Sequence, residues 1–461
     1  MNKLVYLCIA AALFMFTACQ GDVGGDYSEN TDGVISEQVP VLTNENGDIL
    51  IRIATDETEY LPIELRTAMD SFNEMDNGYH VEPVIYAQAV MGKDESGGLQ
   101  TADMRLLMDV MQGENVDVVM DYSFFDLSNY DILSEKGAFV DLYTFLDGDS
   151  GISRSELNTR VLEIHENDGK LYQMPLYFGI ETMCGKGDYV GTKENWTLDE
   201  LITHWEQMPE GTFFCNNTNQ WLVYMSLIRS NLGAFVDYKN GSCSFDSPEF
   251  VALLEFCNRF PETKEKLQPD WDTVYFLHSY SFNGFDKFQR CTDEDTVFVG
   301  YPSENGLGSF VDTLRKRYSI CASAPPAVQE GAWEFISYML NEEVQANNNA
   351  IHDGSDVEEH GFPINNAAFQ RMAEEQLSHQ GESRLVTAGE KEYDLGYLTQ
   401  AEYDQLLILI GSLNRMNSPI DKAAHNIIEN EVKALFAGER TAEEVAKAIQ
   451  GRMEIMISER M

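Results

Sequence analysis

The spacing of apolar residues in the N-terminal third of the chain switches repeatedly between that of a strand and that of a helix. Residues 49–54 form an apolar run typical of a buried strand, and residues 61–72 carry apolar side chains at helical spacing. A strand pattern returns at 81–87, a helical pattern at 104–111 and a strand pattern again at 116–120. Strands that alternate with helices in this way predict an α/β fold with a parallel, doubly wound sheet.

Helix-capping signals locate further helices along the chain. A capping box, in which Ser or Thr is followed three residues later by Glu, occurs at Ser153, Thr197 and Thr441. Ser247-Pro248 and Ser418-Pro419 each place an N-cap residue before a first-turn proline. From about residue 327 onward the spacing is mostly helical, which predicts an α-rich C-terminal region.

The first 19 residues have the pattern of a bacterial export signal. Lys3 precedes an apolar run over residues 4–16, which is shorter than the roughly 20 residues that span a bilayer. The segment Phe16-Thr17-Ala18-Cys19 resembles a lipobox, in which the cysteine receives a lipid and becomes the new N-terminus. An ordinary signal peptide that happens to end near a cysteine is the alternative. Residues 20–47 are polar and Gly-rich, which predicts a disordered linker.

Length and charge restrict the possible functions. A chain of 461 residues is too long for one hydrophobic core, so two domains are expected. The net charge of −46, from 77 acidic and 31 basic residues, disfavours nucleic acid and anionic lipid as partners. The acidic residues are scattered along the chain, which is typical of a soluble, solvated surface.

The cysteines do not form a recognisable metal or redox motif. Of the eight, Cys8 lies in the signal and Cys19 is the lipid site, and the others are Cys184, Cys215, Cys243, Cys257, Cys291 and Cys321. None belongs to a Cys-x-x-Cys pair, which argues against zinc and thioredoxin-like sites. An exported protein can form disulfides, but the spacing leaves disulfides and buried free thiols both open.

Several longer motifs occur in one order along the chain. They are Gly137–Tyr143 (GAFVDLY), Asp168–Pro175 (DGKLYQMP), Asn195–Glu200 (NWTLDE), Val299–Pro302 (VGYP), Gly331–Ile336 (GAWEFI) and Gly361–Pro363 (GFP). In this order they resemble the extracellular solute-binding lipoproteins of ABC importers, in the carbohydrate-binding family that includes maltose-binding protein.

The resemblance implies a two-lobed, type II periplasmic-binding-protein fold with a ligand cleft that closes by a hinge motion. We expect lobe one to comprise residues 48–178 and 303–345, and lobe two residues 179–300 and 360–461. It also implies a lipid-anchored monomer at the outer face of the membrane, which delivers a carbohydrate, such as an oligosaccharide, to ABC permease subunits. No cofactor and no metal are expected.

A sugar site needs aromatic platforms and paired polar groups. The candidates follow predicted strands or flank the lobe crossings: Asp56, Tyr60, Asp121, Tyr122, Tyr177, Glu181, Asn216, Thr218, Trp221, Tyr280, Glu304 and Asn305. The resemblance makes Glu181 the counterpart of a glutamate that contacts sugar. Solvated loops are the alternative for residues 56–60, and core packing is the commoner role for an aromatic residue placed as Trp221 is.

Enzymatic and metal-binding readings have less support. The chain has no Gly-x-Ser-x-Gly, His-Glu-x-x-His or P-loop motif. The segment 147–152 departs from the calcium-loop pattern, and the His and acidic residues within 352–360 lack fixed ligand spacing. A surface lipoprotein that processes or senses glycans, or a binding protein for another solute such as a peptide, remains the alternative.

Lipid attachment at Cys19 is directly testable. Mass spectrometry of the N-terminal peptide of the mature protein should find Cys19 with attached acyl chains. Cys19→Ala should abolish the added mass, whereas Cys8→Ala, a matched change within the same signal, should leave it in place. An unmodified Cys19 thiol in the unaltered protein would contradict the lipoprotein hypothesis and favour the ordinary signal peptide.

Overall fold

The computed structural model describes residues 40–55, 63–86, 91–93, 99–100, 102–121, 133–134, 136–148, 151–191, 196–208, 214, 219–238, 240–261, 276–280, 296–302, 309–312, 317–347, 361–383, 385–388, 391–394, 396–413, 416 and 422–459. The chain divides into two compact units. The first draws on residues 1–126, 132–140 and 319–335, and the second on residues 127–131, 141–318 and 336–461.

Strands and helices alternate in the N-terminal part, and helices dominate the C-terminal part. The strands are β1 (Ile49–Thr55), β2 (Tyr79–Ile85), β3 (Met91–Lys93), β4 (Leu99–Gln100), β5 (Val118–Asp121), β6 (Met174–Pro175), β7 (Tyr177–Lys186), β8 (Val236–Asp237), β9 (Ser242–Cys243), β10 (Phe276–Tyr280), β11 (Thr296–Phe298), β12 (Phe310–Asp312), β13 (Arg317–Ile320), β14 (Phe362–Pro363), β15 (Leu385–Ala388) and β16 (Lys391–Asp394). The helices are α1 (Ile63–Asn73), α2 (Ala102–Gln112), α3 (Tyr143–Leu146), α4 (Thr159–Ile164), α5 (Gly187–Val190), α6 (Leu198–Trp205), α7 (Gln220–Phe235), α8 (Pro248–Cys257), α9 (Pro326–Met339), α10 (Glu342–Asn347), α11 (Asn366–Ser378), α12 (Gln400–Ser412), α13 (Lys422–Phe436) and α14 (Ala442–Ser458).

The first unit contains three parallel strands, as the alternating pattern predicts. β1 pairs in parallel with β2, from Ile49 opposite Tyr79 onward, and on its other edge with β5. The side chains of Ile51, Ile53 and Ala54 are fully buried because helices cover the sheet. Phe72 of α1 meets Phe335 of α9 edge to face at 5.2 Å between ring centroids.

A partly buried ion pair joins Arg52 of β1 to Asp117, the residue that precedes β5. The guanidinium of Arg52 donates from Nε and Nη2 to the two carboxylate oxygens of Asp117, at 2.9 Å each, and the Arg52 backbone N–H donates to the same group. Two parallel N–H···O bonds match a carboxylate closely, which fixes the side chains as well as holding the charge. A shift of β1 relative to β5 would break these bonds, so the ion pair favours a single register of the two strands.

Ordered structure begins a few residues ahead of Ile49, the predicted start. Thr43 bridges to Ile49, and the amide of Asn44 donates to the Asp48 carboxylate at 2.9 Å to close a tight turn. Residues 20–39 of the predicted linker, and the signal segment with Cys19, lie outside the described residues.

The second unit has β7 at its centre. This strand pairs antiparallel with β10, β11, β12 and β14. Around the sheet lies a helical core in which α7, α8, α13 and α14 bury large apolar side chains. The rings of Phe235, Phe245 and Phe250 pack on one another at centroid distances of 5.0–6.0 Å. Such interlocking aromatic contacts each stabilise the core by roughly 0.5–1.5 kcal/mol beyond area burial.

The predicted caps at Thr197, Ser247 and Thr441 begin helices α6, α8 and α14. Ser153 also forms a capping box, but it opens a single 3-10 turn, Arg154–Glu156, because Leu157 returns to an extended backbone. Ser418-Pro419 lies outside the described residues. Gly438 adopts a φ of 70° just after α13, the left-handed conformation in which a glycine commonly ends a helix.

The C-terminal region is less uniformly helical than its spacing predicts. A hairpin of β15 and β16 interrupts it, with Leu385 opposite Asp394 and Ala388 opposite Lys391. Val386 and Thr387 are β-branched residues, which favour strands over helices.

Four cysteines of the described part are free thiols: Cys184, Cys243, Cys257 and Cys321. Burial raises the pKa of the Cys257 and Cys321 thiols, which keeps them protonated and unreactive. Cys215 and Cys291 lie outside the described residues. Within the described ranges, no helix is long and apolar enough to cross a membrane.

The second unit contains a buried histidine whose protonation opposes folding. The ring Nδ1 of His165 donates to the Val161 carbonyl at 2.6 Å, and Nε2 has no hydrogen-bond partner among the described residues. Burial lowers the pKa of His165 from 6.5 to about 3, and the nearby charge of Arg317 acts in the same direction. Because the unfolded chain takes up a proton that the folded chain excludes, this group destabilises the fold as the pH falls below about 6.5.

We therefore predict that His165→Asn reduces the acid sensitivity of the protein. Asn keeps a side-chain N–H for the Val161 carbonyl but does not titrate. In the unaltered protein, His165 should lower the free energy of unfolding by about 2 kcal/mol between pH 7 and pH 5. Urea unfolding at both pH values should show a correspondingly smaller loss in the variant. An equal loss in both proteins would show that His165 does not contribute.

Candidate functional site

β7 carries two of the predicted ligand residues, Tyr177 and Glu181. Side chains alternate along a strand, so residues four positions apart lie on the same face, with Cα atoms about 13 Å apart. Tyr177 is 4% exposed and Glu181 is 8% exposed. Tyr280, the last residue of β10, pairs with Ile180, and the next pair along the two strands is Ser279 opposite Glu181. One sheet therefore contains three of the predicted positions, two of them on β7 and one on β10.

The carboxylate of Glu181 is held by a buried tyrosine. The hydroxyl of Tyr301 donates to Oε1 of Glu181 at 3.2 Å. The Tyr301 ring stacks on Phe310, with centroids 5.3 Å apart and planes inclined by 22°. Phe310 in turn pairs with Glu181 across β12 and β7. The three residues contact one another in a closed set, which limits the orientations that the carboxylate can adopt.

A second polar contact lies on the opposite face of β7. The hydroxyl groups of Thr182 and Ser309 are 2.8 Å apart, and both residues are buried. Ser309 precedes the first residue of β12, so this bond fixes how β12 aligns with β7. A shift by one residue would leave both hydroxyls buried without this partner, at a cost of about 1–3 kcal/mol each.

The backbone beside Tyr177 is fixed by buried amide groups. The carbonyl of Leu176 accepts from Nε2 of Gln345 at 2.7 Å and from the backbone N–H of Ile364 at 3.1 Å. Oε1 of Gln345 accepts from the backbone N–H of Asn365, whose own side chain caps α11. Three distant segments of the second unit thus converge where β7 begins.

Trp221 lies in the first turn of α7 and packs against the helical core of the second unit. Its ring contacts those of Tyr224, His425 and Phe436, with centroids 5.7, 6.3 and 6.5 Å away. Trp221 therefore contributes to the packing of this helical core. Its predicted role as a ligand platform stays a prediction.

Asp121 is the last residue of β5, in the first unit. The remaining predicted site residues lie outside the described residues: Asp56, Tyr60, Tyr122, Asn216, Thr218, Glu304 and Asn305.

The described part of the chain contains no group of three His, Cys, Asp or Glu side chains that could hold a metal ion. Asp147, which opens the segment that partly matches a calcium loop, is paired with Arg154. The Arg154 guanidinium also lies over the ring of Tyr143, 3.2 Å from its centroid. The residues within 352–360 lie outside the described ranges.

The sequence points to Glu181 but not to the residues that hold it. Tyr301 belongs to the Gly300-Tyr301-Pro302 motif, whereas no motif marks Ser309 or Gln345. The local signal at Tyr301 is the proline that follows it, which restricts the backbone conformation of the preceding residue.

No family model and no curated protein match this chain. Several solved structures, by contrast, are similar to this chain. An extracellular solute-binding protein family 1 from Alicyclobacillus acidocaldarius matches with a TM-score of 0.55 at 14% identity, covering 91% of this chain and all of that one (100%). A periplasmic oligogalacturonide-binding protein from Yersinia enterocolitica has a TM-score of 0.56 at 15% identity, covering 89% and 99%.

A cyclic α-maltosyl-1,6-maltose-binding protein from Arthrobacter globiformis is similar as well, with a TM-score of 0.53 at 12% identity and coverage of 90% and 100%. Two de novo designed esterases have TM-scores of 0.56 and 0.58. These likenesses extend over nearly the whole chain, and the α/β fold class expected from the sequence is confirmed. The chain has the fold of the extracellular and periplasmic solute-binding proteins.

Proposed function

We propose that the protein is the substrate-binding subunit of an ABC importer and that it captures a carbohydrate. The observation that carries this proposal is the buried Glu181 carboxylate on β7, oriented by Tyr301, within a solute-binding-protein fold. The protein binds and releases its ligand without covalent chemistry.

The chemistry of this part of β7 suits a sugar. An ionised carboxylate accepts hydrogen bonds at several positions, and sugar hydroxyls donate them. A charge-assisted hydrogen bond in a water-poor site is stronger than one between neutral groups. Tyr177 on the same face offers a ring, and aromatic contacts contribute roughly 0.5–1.5 kcal/mol beyond buried area.

The remaining features of the proposal follow from the sequence. The export signal and Cys19 would hold the protein at the outer face of the membrane, where ABC permease subunits receive the ligand. The predicted division into lobes at residues 48–178 and 303–345, and 179–300 and 360–461, with closure around the ligand, is part of the same proposal. We expect the protein to act as a monomer.

Calorimetry of the full mature chain tests this function. The ligands are neutral oligosaccharides (maltotriose, cellotriose, xylotriose and mannotriose), trigalacturonate, a mixture of short peptides and the polyamine spermidine. We expect at least one saccharide to bind with a micromolar or lower Kd. Glu181→Ala and Tyr177→Ala should each weaken it at least tenfold, or by about 1.4 kcal/mol.

Glu166→Ala provides a matched control, because Glu166 also accepts a tyrosine hydroxyl, that of Tyr143, but belongs to the segment between α4 and β6 and not to β7. Its affinity for the saccharide should equal that of the unaltered protein. Tight binding of a peptide or of spermidine together with no saccharide binding would refute the carbohydrate assignment.

A further inference from the structure

β2 is an edge strand of the first unit. In the described part of the chain it pairs with β1 alone, and its other side has no strand beside it. An edge strand presents a row of backbone N–H and C=O groups with which a strand of another chain can pair. A protein that stays monomeric therefore needs an obstacle along such an edge.

Alternate residues of β2 direct their backbone groups to this outer edge. The N–H of Ile49 donates to the Gly78 carbonyl, and the N–H of Tyr86 donates to the Thr55 carbonyl, so the even-numbered residues of β2 bond to β1. In a strand, the N–H and C=O groups of successive residues point to opposite sides. The residues that face outward are therefore Tyr79, Val81, Pro83 and Ile85.

The first three outward positions have no N–H left for a partner strand. The N–H of Val81 donates to Oδ1 of Asn73 at 2.7 Å, and Nδ2 of Asn73 donates to the Val81 carbonyl at 2.8 Å. The N–H of Tyr79 donates to Oδ1 of Asn77 at 3.1 Å, and Pro83 has no N–H. The Asn73 amide makes the same two bonds to Val81 that an opposing strand residue would make.

We propose that Asn73 is a blocking residue, which prevents β2 from pairing with β2 of a second copy of this chain. The strand is otherwise suited to pairing, because Val81 is β-branched and Ile85 exposes 40% of its apolar side chain. Asn73 is the last residue of α1 and follows the buried Phe72, so the packing of the helix sets its place beside Val81. The inference concerns association between copies and is independent of the ligand proposed above.

The net charge of the chain is the other reason for two copies to stay apart. At −46 the copies repel each other, and this repulsion opposes association at any part of the surface. In about 1 M salt, however, charges are screened beyond about 3 Å. Self-association measured in high salt therefore reports the obstruction of the edge and not the repulsion between the copies.

Sedimentation equilibrium of the full mature chain in about 1 M sodium chloride tests the inference. The unaltered protein should stay monomeric up to about 100 µM, whereas Asn73→Ala should dimerise within this range. Adding Pro83→Val to Asn73→Ala supplies one more outward N–H and should lower the dimer Kd at least tenfold. Asn44→Ala is the matched control, because Asn44 also accepts from backbone N–H groups and closes a turn, but precedes β1. It should stay monomeric.

Three results would overturn the inference. A folded Asn73→Ala variant that stays monomeric would show that the amide is not the obstacle. Equal dimerisation of Asn44→Ala would show that loosened turns, and not an open edge, cause association. An unchanged dimer Kd on adding Pro83→Val would place the contact elsewhere than β2. Circular dichroism checks that each variant is folded.

A measurement on the unaltered protein covers the case in which Asn73→Ala does not fold, since that change also removes bonds that close the turn after α1. The Val81 N–H faces the outer edge, so the bond to Asn73 is what protects it from hydrogen exchange. We expect its exchange to be at least tenfold slower than in an unstructured peptide of the same sequence. Exchange at the unprotected rate would show that Asn73 does not occupy the edge.

Discussion

The hydrogen bonding of β7 is the constraint on which the sheet of the second unit depends. Residues 180–184 pair with β10, while residues 179–181 pair with β12. Because a residue can pair with only one strand on each edge, β10 and β12 must lie on opposite edges of β7. β11 shares Cys184 with β10 and therefore also lies opposite it. A slip of β7 by one residue would break these pairings together and turn Glu181 to the other face of the sheet.

Buried polar contacts reinforce the same register at several points. Thr182 meets Ser309, Glu181 meets Tyr301, and the Leu176 carbonyl meets Gln345, each pair joining segments more than 100 residues apart along the chain. Buried polar groups nearly always require partners, so a chain arrangement that loses these contacts is penalised. The contacts that position the candidate site are thus the same ones that select the native alignment of the strands, and the site and the fold are specified together.

Local signals predicted much of the fold because they act within a few residues. The capping boxes at Thr197 and Thr441 and the apolar strand β1 were recognisable from short windows. The sequence of β7 has no such signature, since Gly179 and Gly185 interrupt any alternation, and its place is decided by strands that lie far away in sequence. The Tyr301 hydroxyl reaches a partner 120 residues away, a relation that residue spacing alone does not reveal. Ser153 shows the same limit on a smaller scale, because its capping box was visible but the extended Leu157 that ends the turn was not.

The net charge of the chain acts over a limited distance. A net charge of −46 creates a field that disfavours the approach of anions, but physiological salt screens exposed charges beyond about 8 Å. This field therefore affects how fast a charged molecule approaches more than how tightly it is held once bound. Buried contacts such as Thr182–Ser309 and Glu181–Tyr301 are screened much less, so added salt weakens the surface field and leaves the contacts that align β7 largely intact.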